Sequence, residues 1–322
     1  MKRIAILDDW QSIAEGAADW SAVRTKAQIV FFNEAFASED QAAEKLADFD
    51  AVVAMRERTQ FPERLIARLP RLKLLSFTGP RNAAIDIPGC TKHGVQVCFT
   101  TGKPATFATA ELALGLMISA TRHLALGDAE IRAGRFQETT PPGLELMGCT
   151  LGVIGVGKLG GKLAKFANAI GMNVLGWSQN LTEAAAADAG VQMVSKDELL
   201  ARSDVVSLHL VLSDRSRHTL GASDLAKMKD GAVVINTSRA GLIDYAALLA
   251  EVQKRRLVAA LDVFEIEPLP ANDPWRTAPN TVLSPHLGYV TRANMVGHYR
   301  ESAENLAAWL DGAPIRMMNE IK

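Results

Sequence analysis

Leu151-Gly-Val-Ile-Gly-Val-Gly-Lys-Leu-Gly160 is the stretch on which the reading of the chain turns. A short apolar run meets glycines at 155, 157 and 160. Helical character follows in Lys162-Leu-Ala-Lys-Phe-Ala-Asn-Ala-Ile170. In a Gly-x-Gly-x-x-Gly turn each glycine has its own reason. The first permits the tight turn off the strand. The second leaves no side chain where a pyrophosphate approaches, and the third lets the helix pack closely on the strand. The helix N-terminus then offers free N–H groups and a positive dipole end to phosphates. A further strand at Asn173-Val-Leu-Gly-Trp177 completes the strand, turn, helix and strand order that gives the pattern its meaning as a dinucleotide site.

Working outward, residues 3–7, 28–32, 51–55, 72–77 and 95–99 read as strands, with helical segments at 11–26, 38–48 and 62–68. Ser38 is the expected N-cap of the second helix. Residues 105–126 read as one long helix, apolar on most faces and so expected to be buried between layers or domains. Thr139-Thr-Pro-Pro-Gly143 is a break. Beyond it strands are expected at 151–155, 173–177, 204–208, 232–236, 257–261 and 281–283. Helices are expected near 158–170, 197–201, 222–227, 244–255 and 292–310. Strands alternating with helices imply parallel sheets covered on both faces. The expectation is α/β throughout: two Rossmann-like or flavodoxin-like domains with parallel sheets. One is a doubly wound NAD(P)-binding domain over 103–288, with six strands. The first hundred residues make the other.

Whole-chain properties narrow the function classes. The 322 residues carry a net charge of −1, with 48% hydrophobic and 22% charged residues. No long run of like charge is present, which argues against a nucleic-acid or anionic-membrane partner. The three cysteines, Cys90, Cys98 and Cys149, form no CxxC pair, and no Cys/His cluster has metal spacing. The N-terminus goes straight into a strand pattern, and no stretch of about 20 apolar residues exists to span a membrane. A cytoplasmic location is the expectation.

Ligands of open parallel sheets bind beyond the C-terminal ends of the strands. Three polar groups fall at such ends: Arg239 in Ile235-Asn-Thr-Ser-Arg-Ala-Gly241, Asp262 with Glu267 in Leu261-Asp-Val-Phe-Glu-Ile-Glu-Pro268, and His286 in Val282-Leu-Ser-Pro-His-Leu-Gly288. Hydride transfer to a ketone needs a proton donor for the oxygen, and an imidazolium serves. A carboxylate bonded to that imidazole favours its charged form and fixes its orientation. A guanidinium binds a substrate carboxylate bidentately.

These segments resemble the D-isomer-specific 2-hydroxyacid dehydrogenase family over nearly the whole chain. The resemblance implies an NAD(P)-dependent 2-oxo acid reductase, acting on glyoxylate, hydroxypyruvate or a similar acid, with substrate between the domains. The family resemblance also implies that the first domain is a discontinuous substrate domain, 1–102 completed by 289–322. It makes His286 the acid/base, Glu267 its carboxylate partner and Arg239 the substrate-binding arginine. It places Gly155, Gly157, Lys158, Leu159, Gly160, Ser178, Gln179, Asn180, Thr237, Ser238, Asp262, His286 and Gly288 around the cofactor, Asp262 near the carboxamide. Phe77-Thr-Gly-Pro-Arg-Asn82 resembles the substrate loop, whose backbone N–H groups hold the carboxylate, so Thr78, Gly79 and Arg81 join the substrate residues. Pro80 removes one of those donors. Arg56, Arg58 and Tyr289 are further residues that can line the pocket, although exposed charge is the ordinary reading of the two arginines. His209 reads as structural, with Val211 where the family commonly has proline. His93, His123, His218 and His298 read as surface or packing residues.

An NAD-selective site has Asp or Glu about 20 residues beyond the glycines, on the ribose 2′-OH. That position falls on Ser178, with no Arg or Lys adjacent in sequence. The reading is loss of NAD selectivity with a lean to NADP. Relatives of this family are commonly homodimers, and the helix at 105–126 is the expected contributor. Rival readings are a formate- or phosphite-type dehydrogenase on the same fold, or an NAD(P)H-sensing, corepressor-like binding protein.

Overall fold

The computed structural model describes residues 1–102 and 107–321. The expected domain border at 102/103 and the first two residues of the helix expected from 105 lie at or within the segment outside that description. The chain divides into two compact units, Met1–Ala105 with Thr291–Lys322, and Thr106–Val290.

The first unit holds a five-stranded sheet: β1 (Lys2–Ile6), β2 (Ala27–Phe31), β3 (Ala51–Ala54), β4 (Leu74–Phe77) and β5 (Gln96–Phe99). All pairings are parallel, in the order β2-β1-β3-β4-β5. This is the flavodoxin-like order. Every residue of β3 and β4 is buried, as strands covered on both faces require. Each Val, Leu or Phe side chain so buried is worth about 1.5–3 kcal/mol. Ser38 caps the helix Glu39–Leu46, its hydroxyl accepting from the Gln41 amide. The helix expected over 11–26 is instead two single turns, Ala14–Ala17 and Ser21–Arg24. Between them Ala18 is extended, and the Asp19 carboxylate accepts from the Ser21 amide, a local bond that competes with helix.

The second unit holds seven parallel strands: β6 (Thr150–Ile154), β7 (Asn173–Trp177), β8 (Gln192–Met193), β9 (Val205–Leu208), β10 (Val233–Asn236), β11 (Val258–Leu261) and β12 (Thr281–Leu283). Their order is β12-β11-β10-β9-β6-β7-β8, so direction reverses between β6 and β9. Six strands are expected from sequence and seven are found. The additional strand, β8, has two exposed residues and so carries no apolar pattern. The long apolar helix runs Ala108–Arg122 and stops where His123 turns left-handed, with φ of 53°. Its Ala113, Leu116, Met117 and Ala120 enter the core beneath β6 and β10. A second helix, Leu124–Arg132, follows. Among the described residues no helix is long and apolar enough to cross a membrane.

Candidate active site

The site is built on loops that leave β6, β7, β9, β10, β11 and β12 at their C-terminal ends. Gly155 follows β6 with φ of +99°, a conformation that L side chains rarely adopt. A Cβ there would lie 2.8 Å from the His209 carbonyl, so the loops after β6 and β9 touch. A Cβ on Gly160 would lie 2.2 Å from the Gly155 oxygen. Both glycines are therefore required by protein packing. Lys158 is exposed and Leu159 half-buried before the helix Gly160–Ala169 begins.

β7 delivers Ser178, Gln179 and Asn180. A pocket of about 420 Å³ lined by Trp177, Ser178, Met193, Val194 and Ser195 lies there. Sequence reading finds no cation near Ser178, but the structure brings one. Arg215, in the loop after β9, donates from Nη2 to Gln179 Oε1 at 2.8 Å, and Gln179 Nε2 donates back to the Arg215 carbonyl at 3.2 Å. The two residues stand 36 apart in sequence, so no local motif announces the pair.

The loop after β10 is shaped by Asn236, which is buried. Its Oδ1 accepts from the Ser238 amide, and its Nδ2 donates to the Arg239 carbonyl. Ser238 Oγ donates to the Leu208 carbonyl, tying this loop to β9. Arg239 is half-buried, and its Nη1 donates to the Ser238 carbonyl at 2.7 Å, which sets the stance of the guanidinium.

Asp262 and the loop carrying His286 form one assembly. Asp262 is completely buried after β11. Its Oδ1 accepts from Ser284 Oγ (2.6 Å) and the Leu287 amide (2.7 Å), and its Oδ2 accepts from the Gly288 amide (2.8 Å). Burial raises the carboxyl above its ordinary range, and the three donors act the other way. Asp262 thus braces the loop. Gly288 is itself buried, its carbonyl accepting from Thr109 Oγ1 on the long helix. His286 sits at the apex with φ of +56°. Left-handed backbone in a non-glycine residue is a strained state held by its surroundings. Its Nδ1 donates to Glu267 Oε2 at 2.6 Å, while Glu267 Oε1 accepts from the Phe264 amide. Both groups stay partly open, at 24% and 31% side-chain exposure, and the Tyr289 ring stands edge-on to the imidazole. His286 Nε2 has no hydrogen-bond partner among the described residues.

In the first unit the loop Phe77–Asn82 follows β4. The Thr78 amide donates to the Ala54 carbonyl, the Gly79 amide donates to Thr100 Oγ1, and Pro80 has none. The amides of Thr78 and Gly79 are thus bonded within the fold. Arg56 packs against the same turn. Its Nη1 donates to the Thr78 carbonyl and lies where a Gly79 Cβ would be, 1.7 Å from that position. Arg81 is exposed on the same loop. Arg58 turns elsewhere, over the Trp10 ring and onto the Asp8 carbonyl.

A family model described as D-isomer specific 2-hydroxyacid dehydrogenase, NAD binding domain, matches residues 114–288, more than half of the chain. The chain belongs to the D-isomer-specific 2-hydroxyacid dehydrogenase family. It is 36% identical to hydroxypyruvate reductase of Thermotoga maritima over 74% of this chain and 78% of that one. With D-3-phosphoglycerate dehydrogenase of Methanocaldococcus jannaschii it shares 34% identity over 79% of its own length and 48% of the relative's. The chain spans about half the length of the phosphoglycerate dehydrogenases it matches. Among solved structures, phosphoglycerate oxidoreductase of Vibrio cholerae is similar with a TM-score of 0.91 and 37% identity, covering 97% of this chain and all of that one.

For a 2-hydroxyacid dehydrogenase family member, the fit of a dinucleotide can be tested on the turn itself. A Cβ on Gly157 would meet nothing within 4 Å. Protein packing does not ask for glycine there, whereas an approaching pyrophosphate does. Two buried polar atoms, His209 Nδ1 and Thr237 Oγ1, have no partner among the described residues. They lie on loops after neighbouring strands β9 and β10 of this family's nucleotide sheet. Buried polar atoms are ordinarily satisfied, so these two match a ligand that supplies the missing bonds. The residues present fit the group.

Proposed function

We propose that this chain interconverts a 2-oxo acid and its D-2-hydroxy acid with NAD(P)(H). The observation that carries the reading is the His286–Glu267 pair at 2.6 Å, with Nε2 left without a partner among the described residues, on the sheet that bears the glycine turn. When bound, the cofactor supplies the hydride that adds to the C2 carbonyl carbon. Protonated His286 gives its Nε2 proton to the carbonyl oxygen, which becomes the hydroxyl, while Nδ1–H stays on Glu267. Arg239 holds the substrate carboxylate and polarises the carbonyl. Arg81 and Arg56, on and against the Phe77–Asn82 loop, add positive charge for the substrate anion. A panel of glyoxylate, hydroxypyruvate, pyruvate and 3-phosphohydroxypyruvate, followed by NAD(P)H absorbance, tests this. At least one acid is reduced, and His286→Ala lowers kcat by about 10³-fold with NAD(P)H binding intact. Tight cofactor binding without turnover of any acid would favour a sensing protein instead.

NADP(H) is the preferred cofactor in this reading. Ser178 offers a hydroxyl where a carboxylate would repel a 2′-phosphate, and Arg215 on Gln179 brings a cation to the same strand end. The partner proposed is a second copy of the chain. Exposed apolar side chains concentrate in one segment, with Ile131, Phe136 and Met147 at 56%, 70% and 71% exposure. Such a cluster marks an interaction surface. Light scattering that reports the mass of one chain would refute the dimer.

A further inference from the structure

His298 lies on the helix Arg292–Leu310 and is 4% exposed. Its Nδ1 stands 2.7 Å from Thr100 Oγ1. Thr100 is completely buried just beyond β5, and its Oγ1 also accepts the Gly79 amide at 3.0 Å. A hydroxyl owns one proton and two lone pairs. The Gly79 N–H occupies one lone pair. If Nδ1 carried a proton it would occupy the other, and the buried hydroxyl hydrogen would have no acceptor among the described residues. The hydroxyl therefore donates to Nδ1, and the ring is the neutral Nε2–H tautomer.

What this bond supports is the turn before Arg81. Gly79 has φ of +97°, and Arg56 Nη1 sits at the place its Cβ would take. We propose that His298 is a positioning residue for the substrate anion: acting through Thr100, it fixes the Gly79 turn and with it the seat of the Arg56 guanidinium. The charges around the ring agree with a neutral imidazole. Burial, and after it the Arg56 charge, hold His298 down at about 4, while Glu301, one turn further along the same helix, pulls the other way. Arg56 is in turn paired with Glu57 at 3.6 Å. Glu301 also faces the end of this segment, accepting from the amides of Thr101 and Gly102.

The inference rests on the 2-oxo acid reading, so its test has one arm that needs no turnover. Long-range 1H–15N correlation of the full chain reads the His298 tautomer. The expected result is neutral Nε2–H at pH 7, with the single tautomer lost in Thr100→Val. An Nδ1–H or charged ring at pH 7 overturns the relay. In the second arm, His298→Phe keeps the volume and removes the acceptor. Its KM for the reduced acid rises about tenfold, with kcat within about twofold and the NADPH Kd unchanged. His298→Asn, whose Oδ1 accepts in place of Nδ1, restores KM. An unchanged KM in His298→Phe, or no rescue by Asn, overturns the positioning role. If the wild type reduces no 2-oxo acid, the activity reading falls by itself, and the tautomer measurement still decides the relay.

Discussion

At the scale of single residues, the proposed chemistry rests on His286 and Glu267, and the proposed cofactor preference on Arg215. His286 and Glu267 stand in segments that sequence alone marks, because each follows an apolar strand and each sits beside a proline. Arg215 is different. Its role comes from a bond to Gln179 made by the fold across 36 residues, which no periodicity or spacing encodes. Replacing Arg215 by Ala is expected to weaken NADPH about tenfold, the loss of one charge-assisted phosphate contact, and to leave NADH unchanged. Calorimetric Kd values for the two cofactors check this, and equal losses for both would remove Arg215 from cofactor selection. His298 was equally hidden: its partner Thr100 is 198 residues away, so the histidine reads as a packing residue until the fold is known.

Elements show where strand ends become precise. Sequence places β11 and β12 and the polar residues after them, because short apolar runs, 257–261 and 282–283, announce strands. It does not say that Asp262 faces the His286 loop and binds it three times, since hydrogen-bond direction is a property of the folded loops. Asp262→Asn turns the Gly288 amide toward either a weaker acceptor or a second donor. A stability loss of about 2 kcal/mol is expected from the disrupted buried bonds. A fall in kcat of about 10²-fold is expected as His286 loses its place. Urea unfolding and steady-state kinetics measure the two. An unaltered kcat would mean that the strained backbone of His286 holds without the brace. The same limit explains the loop after β4. There the Gly79 amide donates to a threonine from the end of the next strand, a pairing that no local motif announces.

Across the whole molecule, buried titratable groups set the response to acid. His298 and His209 are both held down at about 4, chiefly by burial. Unfolded histidines take up protons near 6.5, so their contribution to stability is present above that pH and is lost as pH falls toward 4. For His298 the ceiling is about 3 kcal/mol. Asp8 opposes them. Burial raises its carboxyl to about 6, so its contribution is full below the ordinary value and is lost as pH rises through 6. Asp262, also raised by burial, acts on the side of Asp8; the histidine loss spans the whole window, and the urea midpoint is expected to fall between pH 6.5 and pH 4. His209→Asn and His298→Asn flatten that limb and Asp8→Asn steepens it. A midpoint independent of pH in this window would show that these burials do not govern acid stability.

Gly157 carries a last consequence, a conflict between the empty protein and the loaded one. Nothing among the described residues crowds its missing side chain, and its backbone is not left-handed. A glycine in such a place enlarges the freedom of the unfolded chain and lowers stability for no return in packing. Gly157→Ala should therefore raise the melting point of the apoprotein, by the equivalent of about 0.4–1 kcal/mol, while dinucleotide affinity drops. If both moves are seen, this position is one where the molecule stays softer than it need be so that its cofactor can be seated.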